Sequence, residues 1–291
     1  MKKQGRRSFL HHGAMFGSAL LFMRPGKSRA AVNETSPVNE TLKTLHNLRT
    51  IHGDFTDQNV PDTHINEILN ASVRSANASN MQNYSIIVVK DKDKIQKVCG
   101  YRGSFMLVYC VDLNRMKSCA NQLDHPYIPE GTTGFITAAV STGLAVQNAV
   151  IAGKSLGIDS LVTNGLHRGD MERQWELLDL PEKYCFPLIS VVFGYPAHEP
   201  EYLKGRVHGI GLVHHEHYEK LTPEQTAELI NTYDDPQTHL ALNDNWSEQG
   251  HKHYMDWLFT QWMGRSANPM QEESQLFKLL KRSGFVDMQR V

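Results

Sequence analysis

Residues 133–157 read TGFITAAVSTGLAVQNAVIAGKSLG, and this stretch decides the fold. Ile136, Val140, Leu144, Val146, Val150 and Ile151 fall on several faces of a helix. Between them stand Ala138, Ala139, Gly143, Ala145 and Ala149. Apolar residues on all sides mark a helix that is buried on more than one side, and the small ones let neighbours approach closely. The pattern predicts a central, mostly buried helix over residues 133–156, ended by Gly157 at the C′ position.

Working outward, β-branched and apolar runs predict strands at 84–89 and 105–111 before this helix, and at 158–162 and 186–193 after it. Pro187 in the last run favours an edge strand or a strand start, because proline cannot donate to a ladder. Further upstream, Val60-Pro61-Asp62 opens a helix with Ile65, Ile68, Leu69 and Val73 at helical spacing. Downstream, Asp170 can cap a helix that aligns Met171, Trp175 and Leu178. The pattern changes after Tyr218. Thr222-Pro223-Glu224-Gln225 opens a helix with proline in its first turn. Tyr254, Trp257, Leu258, Trp262 and Met263 suggest another with an aromatic face, and residues 275–282 an amphipathic tail helix. These last elements read as an added C-terminal arm over 219–291, not a second domain.

The chain has 291 residues, 40 % hydrophobic and 21 % charged, which excludes a disordered chain. Its 30 Lys+Arg against 31 Asp+Glu give a net charge of −1, without the basic surplus of a nucleic-acid binder. That balance is uneven. Lys2, Lys3, Arg6, Arg7, Arg24, Lys27 and Arg29 crowd the first 30 residues, which hold no acid. Without those seven the body keeps 23 basic residues and lies near −8.

The basic start orders itself as an address. Arg6-Arg7-Ser8-Phe9-Leu10 precedes an apolar stretch at 13–23, and Ser28 and Ala30 fit a small-x-small cleavage before Ala31. The stretch is shorter than the ~20 residues that span a bilayer. Arg-Arg-x-Phe-Leu resembles a bacterial twin-arginine signal peptide over 1–30, which implies export to the periplasm of a protein already folded with its cofactor. The alternative is a cytoplasmic protein with a basic N-terminus. Residues 31–41 read as a polar linker. No membrane span is expected in the mature chain.

Four cysteines, at 99, 110, 119 and 185, form no C-x-x-C and are too few for a disulfide framework. Cys110 and Cys185 read as core thiols, and Cys99 and Cys119 could pair after export. Fifteen histidines include clusters at His214, His215 and His217 and at His251 and His253. Either cluster suits a metal only if its ligands converge, and exposed loop histidines are the commoner case. No metal site is assigned. There is no G-x-G-x-x-G, no P-loop, no G-x-S-x-G and no H-E-x-x-H.

What remains is a dispersed pattern. Arg49-Thr50-Ile51-His52 precedes the first helix, and residues 77–84 (NASNMQNY) lead into the first strand. Leu156-Gly157 ends the central helix, and Thr163-Asn164-Gly165 follows a strand. Leu180-Pro181-Glu182-Lys183-Tyr184, Gly194-Tyr195-Pro196 and Leu203-Lys204-Gly205-Arg206 complete the series. In this order the landmarks resemble the FMN-dependent nitroreductase family over 42–218. The resemblance implies an α+β fold with a central mixed or antiparallel sheet flanked by helices. It also implies an intertwined homodimer with one FMN per subunit, which the arm can embrace.

Position by position, it implies that Arg49, Thr50 and His52 line the phosphate, ribityl and pyrimidine side of FMN. Asn77 and Asn80 would reach the flavin from the partner subunit. The backbone at Asn164 and Gly165 would donate to flavin N5, and Lys204 and Arg206 would hold the phosphate. A flavin phosphate wants such a clamp of cationic donors. The flavin carries the chemistry, so no catalytic side chain is assigned. The implied activity passes two electrons, as hydride, from NAD(P)H or another donor to nitroaromatics or quinones. A reductive dehalogenase or flavin-modifying enzyme of the same fold, and a non-catalytic periplasmic binder of flavin or metal, are the alternatives. The chain departs from the family pattern at Leu48, where a basic residue is common, and at His52, which replaces Arg or Lys. Ala76, Asn83 and Tyr84 replace Pro, Pro and Trp, and Asn164 replaces Glu. Histidine titrates near neutral pH, so His52 would make the flavin potential pH-dependent.

Overall fold

The computed structural model describes residues 39–129, 131–168, 170–263 and 269–286, with side chains from 275 onward in the last stretch. The signal peptide expected at 1–30 and the linker up to residue 38 lie outside the described residues.

Four antiparallel strands form one sheet in the order β1-β2-β4-β3. They are β1 (Tyr84–Val89), β2 (Phe105–Asp112), β3 (Asp159–Thr163) and β4 (Cys185–Gly194). β2 is buried almost throughout, and its side chains alternate between two cores. Phe105, Leu107 and Tyr109 join one core with Ile65 and Ile68 of α2 (Asp62–Val73) and Ala145 and Ala149 of α5 (Thr132–Ser155). Met106, Val108 and Cys110 join the other, with Ile95 and Val98 of α3 (Lys92–Cys99) and Leu178 of α6 (Arg173–Leu178). The sheet is therefore sandwiched, α2 and α5 on one face and α3 and α6 on the other.

The long helix lies where its pattern predicts, one residue earlier at each end. A Cβ on Gly153 would come within 2.9 Å of the Phe193 ring, so a small residue there lets α5 lie close on β4. Ser72 ties α2 to both neighbours, its Oγ 2.9 Å from the Ala145 carbonyl and 2.9 Å from the Tyr109 hydroxyl. α5 is long and apolar enough to cross a membrane by length and composition. Its sheet-facing side is buried, whereas Ile136, Val140 and Leu144 are exposed by 56 %, 60 % and 44 %, which corrects the mostly buried helix expected from the sequence. The Val73 side chain, expected on the buried face of α2, is exposed at that helix's last residue.

β4 is an interior strand with Pro187 as its third residue, so of the edge or strand start expected from Pro187 the strand start holds and the edge does not. Pro187 faces Cys110 beside a register shift, and β3 pairs only with Ser190 to Gly194. A bulge on one side and no strand on the other leave the missing N–H without cost.

Two shorter helices flank these elements: α1 (Glu40–His46), capped by Asn39, and α4 (Asn114–Gln122). α1 begins inside the stretch read as linker. In the arm, α7 (Pro223–Asp234) carries the Thr222–Gln225 capping box. α8 (Tyr254–Trp257) runs into a π-helical turn, Leu258–Trp262, and Tyr254 and Trp257 are buried with Ala241 in a small cluster of their own. α9 (Pro269–Arg282) packs differently. Leu279 and the following Phe285 enter a core with Val111, Trp175 and Phe186. Each buried side chain of this size contributes roughly 1.5–3 kcal/mol, so the tail is part of the domain's stability.

Candidate functional site

The segment 48–52 runs beside β3. Thr50 bridges Ser160 in parallel, and the Ile51 N–H donates to the Ser160 carbonyl at 3.1 Å. Ile51 is buried, so its neighbours are held facing outward. They face two adjoining cavities of about 570 and 540 Å³, a size that suits a small ligand. Leu48, Arg49, Thr50, Lys204 and Arg206 line both cavities. His52 and Leu242 line the first, and Gln147 of α5 and His208 the second. Five residues expected to contact one ligand, Arg49, Thr50, His52, Lys204 and Arg206, thus meet across more than 150 positions of sequence.

The arm supports the far wall. Lys204 Nζ donates to the Ala241 carbonyl and lies 3.5 Å from an Asp244 oxygen. The Gly205 N–H donates to the His239 carbonyl at 3.1 Å. Tyr202 stacks on His239 at 3.9 Å and donates to Asp244. Arg206 donates to the carbonyls of Lys204 and Gly205, which curls its side chain over its own loop.

Arg49 has partners that sequence patterns did not reveal. Its Nε and one terminal nitrogen donate to Asp159 at 3.0 and 2.6 Å, and its other edge donates to Glu199. Lys154, near the end of α5, donates to the same Asp159 at 2.8 Å. Burial pushes the Asp159 carboxyl up, but Arg49 and Lys154 outweigh burial and hold its pKa below the ordinary carboxylate value. Hydrogen bonding to Arg49 lowers Glu199 as well, and those bonds, to Glu199 foremost and to Asp159, raise Arg49. One signal for Asp159 was present. It is an acid at the head of an apolar strand between Ile158 and Leu161, and a buried acid needs a cation. Glu199 stands in an exposed polar loop and carried no such signal.

The remaining expected residues lie apart. Asn77 and Asn80 sit in the turn between α2 and β1. Asn77 Oδ1 accepts from the Gln82 N–H at 3.0 Å, and Asn80 Oδ1 from Gln82 Nε2 at 2.8 Å. Neither lines the two cavities. Asn164 is exposed at the end of β3. The Gly165 N–H is buried and donates to Thr163 Oγ1 at 3.0 Å. A Cβ on Gly165 would meet the Cys99 carbonyl at 2.3 Å, so glycine is required there for packing. Among the described residues no cluster of three or more His, Cys, Asp and Glu could hold a metal ion. His253 instead binds Asp234 at 2.6 Å, and His214 Nδ1 accepts the Glu219 N–H. All four cysteines are free thiols. Cys99 is buried and Cys119 exposed.

Comparison with known proteins gives this arrangement a family. The model of the nitroreductase family matches residues 48–103. An FMN reductase [NAD(P)H] of Bacillus subtilis is 31 % identical over 216 residues, covering 69 % of this chain and 85 % of that protein. The chain belongs to the nitroreductase family. A Cr(VI) reductase of a Pseudomonas species is 27 % identical over 64 % of this chain and 80 % of its own length. Among solved structures, the hypothetical oxidoreductase YcnD of Bacillus subtilis superposes with a TM-score of 0.71 at 26 % identity, over 85 % of this chain and 98 % of its own. Family and fold therefore agree with the α+β architecture described above. The matched segment 48–103 begins at the cavity-lining residues Leu48, Arg49 and Thr50.

Proposed function

We propose that the joined cavities hold FMN, with its phosphate among Arg49, Lys204 and Arg206. As a member of the nitroreductase family, the chain is an FMN-dependent oxidoreductase. The observation that carries the site is the meeting of three cations with the Thr50 hydroxyl and the apolar walls Leu48 and Leu242. That donor set fits a group with a dianionic phosphate at one end and a flat ring at the other. When bound, FMN supplies the hydride chemistry. The chain's own residues bind and orient it. Lys204 and Arg206 neutralise the phosphate, and Thr50 offers a hydroxyl to the ribityl chain. His52 presents an imidazole toward the pyrimidine edge. Neither Asn164 nor Gly165, the backbone donors expected at N5, lines the joined cavities, and the Gly165 N–H already serves Thr163.

In this reading NAD(P)H or another donor supplies two electrons, and nitroaromatics, quinones or similar electron-poor molecules accept them. Asn77 and Asn80 complete the site of a second subunit. Their distance from this chain's own cavities and the exposed apolar stripe of α5 support a homodimer built on that helix. The order of the first 30 residues supports a twin-arginine signal and a periplasmic protein. Mass spectrometry of periplasmic protein then finds Ala31 at the N-terminus. A full-length chain confined to the cytoplasm contradicts export. The periplasm holds little nicotinamide, so export would favour a donor other than NAD(P)H.

Flavin fluorescence titration of the cofactor-free protein tests the clamp. Lys204→Ala with Arg206→Ala is expected to weaken FMN binding about 100-fold, the size of two lost charge-assisted hydrogen bonds, while leaving riboflavin unchanged. Unchanged FMN affinity contradicts the assignment.

A further inference from the structure

We infer that Glu199 is a placeholder for the ligand's phosphate, so that phosphate binding is an exchange of one anion for another on Arg49. The inference rests on the reading that the cavity takes FMN. It starts from the two edges of one guanidinium.

Arg49 has five N–H donors in a rigid fork. One edge, Nε and a terminal nitrogen, donates to Asp159 at 3.0 and 2.6 Å. That partner is fixed. Asp159 is 3 % exposed and holds Lys154 as well. The other edge donates to both oxygens of Glu199. That partner is loose. The Glu199 side chain is 74 % exposed, and among the described residues Arg49 is the one side chain that hydrogen-bonds it. Asp159 therefore anchors Arg49 in place, and Glu199 covers the fork that Arg49 would offer to a ligand.

A phosphate approaching Lys204 and Arg206 meets Arg49 across the same cavities. The edge held by Glu199 suits a phosphate as well as a carboxylate. A phosphate dianion gains from three cations at once, whereas Glu199 hydrogen-bonds Arg49 and is otherwise only weakly drawn by Lys154 and repelled by Asp159. The displaced carboxylate returns to water at small cost because it is already exposed. Glu199 thus sets a threshold. A ligand must bring enough negative charge to displace a tethered carboxylate, and weak monoanions do not.

Two titrations of the cofactor-free full chain test this, using wild type and Glu199→Gln. Gln keeps the shape and one acceptor but loses the charge. FMN is expected to bind the variant about 5-fold tighter, the upper range for an exposed ion pair. Riboflavin, which lacks the phosphate, is expected to bind both proteins alike. Inorganic phosphate should displace FMN from the variant and from wild type at the same phosphate-to-FMN ratio, because both anions gain equally, and should bind the flavin-free variant about 5-fold tighter. Equal or weaker FMN binding by the variant overturns the exchange. So does an equal gain for riboflavin, which would place the effect away from the phosphate. If wild type binds neither flavin, the site reading itself fails and the exchange with it.

Discussion

Asp159 is the residue on which the cavity wall depends. It carries a buried negative charge between Arg49 and Lys154. Removing one member of such a group leaves its partners uncompensated, so Asp159→Asn is expected to cost about 3 kcal/mol in urea unfolding at neutral pH. The pH dependence has a definite sign. The folded-state pKa of Asp159 is depressed, so its contribution is present above its unfolded pKa and is lost as pH falls through the lower folded value. Wild type should therefore lose stability as pH drops below about 4, and Asp159→Asn should lose less over the same range. Parallel urea curves at low pH would contradict this. At this scale the cationic half of the site was legible. Arg49, Lys204 and Arg206 stood out as ordered basic residues in an acidic body. The anionic half was not, because tertiary contact alone chooses which carboxylate meets which cation.

Among elements, the loop carrying Lys204 and Arg206 is held by the arm rather than by the sheet. Gly205 lies so near the Thr238 carbonyl that a Cβ would come to 1.9 Å of it. Gly205→Ala must push the loop off the arm. The expected outcome is a loss of about 2 kcal/mol in stability together with weaker FMN binding, measured by urea unfolding and flavin titration. Full retention of both would show that the arm does not position the clamp. The elements themselves were largely readable. The strands followed from short β-branched runs, because burial on both faces leaves just such patterns, and the place of α5 followed from its apolar residues, although one side of it is exposed. Pro187 marked the start of a strand but not its place inside the sheet, since a bulge and a neighbouring strand's length are properties of pairing that one strand's sequence does not carry. The tail helix was readable as amphipathic, but not its docking against Trp175 and Phe186.

For the whole molecule, the exposed stripe on α5 should lie between two subunits. Ile136→Glu with Val140→Glu is expected to turn a dimer into a monomer in sedimentation velocity and to weaken flavin binding, because Asn77 and Asn80 would no longer reach the partner's site. A variant that stays dimeric would place the interface elsewhere. The fold class came with the family resemblance, which rested on landmarks spread over 42–218, each weak by itself. The central claim is that this assembly carries a flavin that cycles between oxidised and reduced forms. The most direct measurement is the visible absorption spectrum of the purified protein with FMN, taken before and after anaerobic addition of NADPH, NADH or dithionite. The account predicts protein-bound oxidised flavin, retained through desalting, that bleaches with a reductant and returns when a quinone or nitroaromatic is added. A protein that retains no FMN, or whose bound FMN returns no electrons to any such acceptor, would contradict it.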